Sequence, residues 1–516
     1  MAAARVTVIG SGVGGLAAAL RLAHHGLDVQ VFERAAAPGG KLRQVEIAGH
    51  VLDAGPTVLT LREVFDELFD AVGERLDEHL SLRPLDVLAR HAWADGARLD
   101  LFADMARTAE AIARFAGGDQ ARRYRAFCER AGRVHRALDR SFMRAPRTSV
   151  WALVGRAGWR GLPDLMRIAP FSSLWRELGA CFEHPRLRQL FARYATYCGA
   201  SPFLAPATLM LIAHVERCGV WQVAGGMHRI AAALASQLAR RSARVHLNRH
   251  VAAITVRDGA VRAVELHDGE RLETDAVVFN GDVDALAQGL LGPAVAAAVP
   301  RLRRPQQRSL SALTWNLVAA TSGFELAHHN VFFSDGYVQE FDDIAHGRLP
   351  GQPTVYVCAQ DRGDDSPRAA GSAQRLLCLV NAPPLGDAMR PDAQEVRRCE
   401  QTSFEHLERC GLRIERRPSH TVTTTPAHFH RLFPGSAGAL YGPATHGWRA
   451  AFRRPGSRTR LRGLYLAGGS VHPGPGLPMV ALSGQLAAAS VLEDLASRTS
   501  ISGWRPADMP GGTSMR

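Results

Sequence analysis

The chain opens on a short β-rich run at 5–9, then passes through a glycine-rich turn at 10–15 into a stretch of helical composition at 16–25. Gly26 suits a helix stop, and 29–33 reads as a second strand. Strand, turn, helix and strand in that order predict a βαβ unit at the start of the chain. From 62 to about 220 apolar residues recur mostly at helical spacing, most clearly at 62–72, 105–115 and 120–138. The pattern changes at 144–175, where Trp151, Trp159 and Trp175 alternate with Arg147, Arg156, Arg160 and Arg167. Helical spacing returns after Gly225-Gly226 and runs to 240. Strands are expected at 245–247, 251–256 and 277–279, with Asp258-Gly259 and Asp268-Gly269 as hairpin turns. Residues 311–440 mix strand and loop, 463–467 reads as a last strand, and a helix of small residues runs to about 495. The tail from Ser497 is rich in Gly, Ser and Pro and is expected to be disordered.

Composition narrows the picture modestly. A chain of 516 residues is too long for one simple core. Its formal net charge of +13 admits an anionic partner, but the arginines are dispersed and form no basic block, so no nucleic acid is expected and an anionic lipid surface remains open. Lys41 is the only lysine in the chain. The 8 cysteines include no C-x-x-C pair, which fits a reducing compartment better than a disulfide framework. No signal-peptide pattern and no uninterrupted apolar run of membrane-span length are present. The expectation is a cytoplasmic protein, peripherally associated with the inner membrane.

Candidate chemistry begins at Gly10, Ser11, Gly12, Val13, Gly14 and Gly15, which fit G-x-G-x-x-G after a strand and at the opening of a helix. Gly10 makes the tight turn, Gly12 lets backbone approach a diphosphate, and Gly15 lets helix and strand pack closely. The helix N-terminus offers N–H groups to the phosphates, and Glu33, at the end of the second strand, offers acceptors to ribose hydroxyls. Two further segments follow, Pro38-Gly39-Gly40-Lys41 and Asp53-Ala54-Gly55-Pro56-Thr57. Lys41 adds a point charge suited to phosphate. A glycine-proline loop at 467–478 joins the last strand to the last helix, whose N-terminus can face negative charge on a flavin ring. A plain NAD domain has no need of these extra segments, whereas the longer FAD must be held at more than one place.

With those segments in hand, the chain resembles the phytoene desaturase family of bacterial carotenoid oxidoreductases, over about 5–495. Within it the likeness is greatest to the 1-hydroxycarotenoid 3,4-desaturases. Arg193-Tyr194-Ala195-Thr196-Tyr197, Phe279-Asn280-Gly281-Asp282, 326–333 and 358–362 carry that finer likeness. Phytoene desaturases often have arginine where this chain has Lys41. The resemblance implies an α/β fold, amine-oxidase-like: a Rossmann-type FAD-binding domain with a discontinuous substrate domain of sheet plus helices. The implied division is FAD-binding parts at 1–95, 223–310 and 446–496, a helical substrate and membrane-facing region at 96–222, a substrate-domain sheet at 311–445, and a tail at 497–516. It implies non-covalent FAD held by Gly10 to Gly15, Glu33, Arg34, Gly40, Lys41, Gly55, Pro56, Thr57, Val251, Gly468, Gly469 and Met479. Val251 is expected to meet the adenine through its backbone.

The expected reaction introduces a carbon 3–4 double bond into a 1-hydroxy or 1-methoxy carotenoid such as 1-hydroxyneurosporene, by hydride transfer to the flavin and loss of a proton. Dioxygen or a quinone then takes the electrons. The catalytic base is unknown; His214, Glu216, His472 and Tyr441 are candidates by type only. His328-His329 raises a metal reading, but adjacent residues on a strand point to opposite faces, so no metal is expected. The segment 144–175 is expected to meet the membrane through tryptophan at the interface and arginine reaching lipid phosphates. Rival readings on the same scaffold are a phytoene or neurosporene desaturase, a flavin-dependent carotenoid isomerase, an amine oxidase and a non-enzymatic prenyl-chain carrier.

Overall fold

The structure, a computed structural model, describes residues 3–146, 155, 171–301, 307–363 and 372–498. Its first unit is a parallel sheet of five strands in the order Leu464–Leu466, Ala276–Phe279, Arg5–Ile9, Asp28–Phe32 and Arg244–His246. Alternation decides what each face buries. Val6, Val8, Val29, Val31, Ala276 and Val278 point toward the helices Val13–His24, Arg229–Ala239 and Leu477–Arg498. Phe32, Val277, Phe279, Leu464 and Leu466 point the other way, toward an antiparallel sheet of Val251–Arg257, Ala260–Leu266 and Arg271–Glu273. A parallel sheet covered on both faces requires such near-continuous apolar strands. Asp258 and Gly259, with φ of 53° and 65°, turn the first hairpin as the Asp-Gly pair leads one to expect.

The second unit is a sheet of seven strands in the order Thr421–Thr424, Ser311–Ala319, Gln374–Ala382, Val355–Ala359, His329–Phe332, Val87–Ala92 and Arg98–Phe102. Neighbours are antiparallel except His329–Phe332 with Val87–Ala92, which is parallel. One face carries Trp315, Leu313, Val355 and Val357 and is closed by helix Ala393–Arg409, whose Phe404 meets Trp315 edge-on at 5.5 Å. The opposite face packs against the helices Met105–Ala116, Gly118–Leu138 and Pro185–Ala192.

Two expectations need correction. A boundary between 95 and 96 cuts through the hairpin of Val87–Ala92 with Arg98–Phe102, and this hairpin belongs with the sheet assigned to 311–445. The stretch 62–220 also holds Leu82–Pro84, which pairs with Trp221–Val223. Both faces of Val87–Ala92 are largely covered, so its apolar positions do not alternate and the strand leaves no period-two signal. The Arg- and Trp-rich stretch falls mostly outside the described residues, Trp151 and Trp159 included. Of its ends, Arg144 pairs with Glu67 at 2.5 Å and Asp139 at 3.2 Å. Trp175 packs on Phe203 at 4.8 Å with the Arg188 guanidinium 3.8 Å from its ring. Both are bound within the protein. Nearly all of the tail lies outside the described residues.

Candidate cofactor and substrate site

Helix Val13–His24 begins at Gly12 with no side-chain cap and no acidic residue in its first turn. Elsewhere Asp104, Ser173, Asp282, Asp392 and Thr425 cap their helices with side chains. An uncapped, largely enclosed helix start leaves backbone donors and a partial positive charge for an anion. The turn before it admits no larger residue: a Cβ on Gly15 would lie 2.2 Å from Gly10 O, and one on Gly12 or Gly14 would lie 2.7 Å from the Asn280 amide. Asn280 Nδ2 donates to Gly10 O at 3.3 Å, so this side chain, given no role beforehand, braces the whole turn. Helix Leu477–Arg498 crosses here too, since a Cβ on Gly484 would lie 2.2 Å from Gly14 O.

The other expected cofactor residues gather around this turn. Glu33 is 7% exposed; one carboxylate oxygen accepts from Ser11 N at 2.8 Å and Ser11 Oγ at 3.0 Å, and the other accepts from Ala35 N at 2.9 Å. A carboxylate has about four acceptor positions, which leaves room for a hydroxyl. Gly39 N donates to Ser11 O at 2.8 Å, and a Cβ on Gly40 would lie 3.1 Å from Gly12 Cα. Gly55 runs against Lys41, whose carbonyl oxygen a Cβ would meet at 1.8 Å. Arg249 N donates to Glu33 O at 2.8 Å, which brings buried Val251 back to the first unit. Gly468 N donates to Ser483 Oγ at 3.2 Å, and Met479 sits half-buried in the first turn of the last helix. Arg34 is turned outward onto Arg431 O at 2.8 Å, and Pro56 is exposed.

Lys41 Nζ donates to Leu440 O at 2.5 Å, with Phe433 at 5.4 Å. Burial lowers its pKa, and Asp282 partly offsets that. Asp282 is raised by burial, with Lys41 opposing. Arg454, 3% exposed, donates to Tyr441 O, Gly469 O and Pro443 O at 3.1, 2.8 and 2.6 Å, so it ties the 441–445 loop to the 468–469 turn. Burial lowers it to about 10.

A polar-walled cavity of about 240 Å³ opens beside this assembly, bounded by Asp53, Thr57, Gln222, Gly226, His328 and Gln360 among others. Asp53 accepts from Met227 N at 2.6 Å, and a Cβ on Gly226 would lie 2.6 Å from its carboxylate. Thr57 links the cavity to the seven-stranded sheet through a 2.7 Å bond between Thr57 Oγ1 and the Tyr356 hydroxyl.

The candidate bases are not brought together. Glu216, 2% exposed, accepts from the hydroxyls of Tyr194 and Tyr197 at 2.6 Å each and faces Arg193 at 3.8 Å. His214 packs 5.0 Å from the His135 ring, and burial with His135 lowers it to about 4. His472 Nε2 lies 3.0 and 2.9 Å from the carbonyl oxygens of Phe142 and Ala145. Tyr441 packs its ring on Gly199, and burial pushes it up to about 12. The alternation argument at His328-His329 fails, because the strand begins at His329: ligand atoms of His328, His329 and Cys358 lie within 4.8 Å of one another. The geometry can hold a metal, with His328 Nδ1 and His329 Nδ1 bonded to Arg362 O and the Tyr356 hydroxyl at 2.7 Å each and the Nε2 atoms left toward Cys358. Burial keeps the Cys358 thiol protonated.

Comparison with known proteins gives the family. The family model described as flavin containing amine oxidoreductase matches residues 13–492. The chain is similar to hydroxyneurosporene desaturase of Rubrivivax gelatinosus, with 53% identity over 514 residues, 99% of this chain and 97% of the relative. It is similar to hydroxyneurosporene desaturase of Cereibacter sphaeroides with 45% identity, over 96% of this chain and 99% of the relative. Among solved structures, cyclohexylamine oxidase from Brevibacterium oxydans superposes with a TM-score of 0.55 at 16% identity, covering 96% of this chain and 99% of that one, which bears on the fold alone.

Proposed function

The chain belongs to the flavin-containing amine oxidoreductases, in their phytoene-desaturase-like carotenoid branch, and from that premise we propose that it desaturates 1-hydroxy or 1-methoxy carotenoids at the carbon 3–4 bond. The observation that carries this reading is the likeness, along nearly the whole chain, to the hydroxyneurosporene desaturase of Rubrivivax gelatinosus. FAD, when bound, supplies a two-electron acceptor for hydrogen taken from carbon. The residues around the glycine turn fit it: bare N–H groups for the diphosphate, spare acceptor capacity on Glu33 for the ribose, and glycines where side chains would intrude.

The protein's own part is to bind, orient and exclude water. The helical layer and the sheet face, with Leu88, Phe191, Leu310, Val331 and Phe333, form a closed apolar core, and the cavity of about 240 Å³ beside Thr57 and His328 is where the substrate is proposed to approach the cofactor segment. Two hydrogens leave the substrate, one with the bonding electron pair and one as a proton, and the electrons pass on to dioxygen or a quinone. Proton loss from a polyene cation is easy, which agrees with the absence of an assembled base among the four candidates.

The same reading places the protein at the surface of the inner membrane, where such substrates dissolve. Among the described residues one helix is long and apolar enough to span a bilayer, Leu477–Ser497, and it packs along Val13–His24. Contact is therefore assigned to 144–175. Replacing Trp151, Trp159 and Arg156 together is expected to weaken binding to anionic liposomes; unchanged binding by a folded variant sinks that assignment.

The deciding experiment mixes FAD-loaded protein anaerobically with 1-hydroxyneurosporene in liposomes. Bleaching of the flavin with a product lighter by about two mass units supports the proposal. Bleaching by phytoene or neurosporene instead moves the chain to another desaturase subgroup, and no bleaching by any carotenoid defeats the reading.

A further inference from the structure

Among the described residues, several deeply buried side chains of the substrate unit carry polar atoms with no partner, Thr314, Asn316 and Glu340 among them. Four others are His91 Nε2, His329 Nε2, the Tyr337 hydroxyl and Arg193 Nε, in residues exposed by 0, 3, 6 and 9%. Buried polar atoms are ordinarily bonded, because leaving one dry costs free energy, so a group of orphans calls for an occupant.

Strand register collects them. Val331 pairs with His91 on one side and with Tyr356 on the other, and His329 stands two residues along the same strand. His91, Val331, His329 and Tyr356 therefore share one face of the sheet. Phe333 continues the row, 5.9 Å from the His91 ring and 6.2 Å from the Tyr337 ring. Arg193 approaches from the helical layer, 5.2 Å from the Tyr197 ring, and its charge is felt at His91, His329 and Tyr337.

The bonds already made tell what the occupant must offer. His91 Nδ1 lies 3.0 Å from Leu99 O. A carbonyl only accepts, so Nδ1 carries the proton and Nε2 of this neutral ring is an acceptor. Arg193 Nε can only donate. Glu216 already balances the arginine's charge, so an anion has no unpaired cation to meet. A hydroxyl, which donates once and accepts, can serve both an acceptor and a donor. The set is also tethered to the cofactor segment: Thr57 Oγ1 bonds the Tyr356 hydroxyl at 2.7 Å, and that hydroxyl bonds His329 Nδ1 at 2.7 Å. A substrate hydroxyl only a few carbons from the oxidised bond needs such proximity.

We propose that His91, Arg193, His329 and Tyr337 form the pocket that takes the substrate's terminal hydroxyl, and so select hydroxylated over unmodified carotenoid ends. This rests on the desaturase reading above. The test compares 1-hydroxyneurosporene with neurosporene, by kcat/KM and by equilibrium binding in detergent micelles, using FAD-loaded wild-type protein, Tyr337→Phe, His91→Leu and His91→Gln. Tyr337→Phe removes one oxygen and His91→Gln keeps an acceptor, so neither relies on a risky fold. Expected is a preference for the hydroxylated compound that falls at least tenfold in Tyr337→Phe and His91→Leu, in binding as well as turnover, with His91→Gln retaining most of it. If both loss variants hold their flavin and keep the full preference, the pocket is wrong while the desaturase reading stands. Wild-type protein that oxidises neither compound overturns the desaturase reading itself, and equal use of the two by wild type overturns the pocket.

Discussion

The seat around Gly10 to Gly15 and the face around Tyr356 are both enclosed, yet the first is made of backbone and the second of side chains. At the seat backbone atoms dominate, held by the Glu33 carboxylate and the Asn280 amide, and much depends on missing side chains: a Cβ on Gly15 or Gly55 would stand 2.2 or 1.8 Å from a carbonyl oxygen. At the face the contacts run hydroxyl to imidazole and hydroxyl to carboxylate, through Tyr356, His329, Tyr194, Tyr197 and Glu216. A backbone seat tolerates no added atoms, whereas a side-chain face can be edited one group at a time.

That contrast can be broken in four places. Gly15→Val should have the largest effect, because neither the turn nor helix Val13–His24 can move away; protein purified from this variant is expected to lack flavin absorbance. Retained flavin would show that the seat has slack. Glu216→Gln should keep flavin but strip buried Arg193 of its countercharge, at a cost of about 3 kcal/mol in denaturant unfolding. An unaltered midpoint would mean that the pair adds nothing to stability.

Glu340 sharpens the comparison through pH. Burial raises it to about 7 from the ordinary 4.5, against bonds from Thr354 at 3.1 and 2.6 Å. The folded carboxyl thus keeps its proton while the unfolded one loses it, so stability declines as pH rises from 4.5 through 7 and is level beyond. The loss is on the order of 3 kcal/mol, and Glu340→Gln should abolish that slope in unfolding measured from pH 4 to 8. His446 gives the smallest change. Its Nε2 accepts from Ser201 N at 3.0 Å, and burial lowers it to about 4 from 6.5. Stability should therefore fall as pH drops from 6.5 to 4, by about 1 kcal/mol for this partly exposed ring, and His446→Gln should flatten that fall.

The two regions also differed in how far the residues alone disclosed them. Gly10 to Gly15 and Glu33 lie within one βαβ unit, and close backbone approach demands glycine, so the seat was legible from a short stretch. The role of Asn280 was not, because nothing in its own neighbourhood says that it braces a turn 270 residues away. The face was harder still. His91, His329 and Tyr356 share a face only because His329–Phe332 pairs in parallel with Val87–Ala92 on one side and antiparallel with Val355–Ala359 on the other, and no local pattern specifies those pairings. Covered strands do not alternate, which hid the 87–102 hairpin. At His328-His329 a sound rule was applied one residue too early, before the strand had begun.

The close approach of Gly484 to Gly14 has a consequence for the order of events in the cell. Synthesis delivers the first helix long before its partner helix Leu477–Arg498 and the edge strand Leu464–Leu466. The whole of the seven-stranded sheet emerges before the nucleotide seat has its last wall. Cofactor capture is accordingly a late event, and a chain cut short before Leu477 forfeits the flavin as well as the helix.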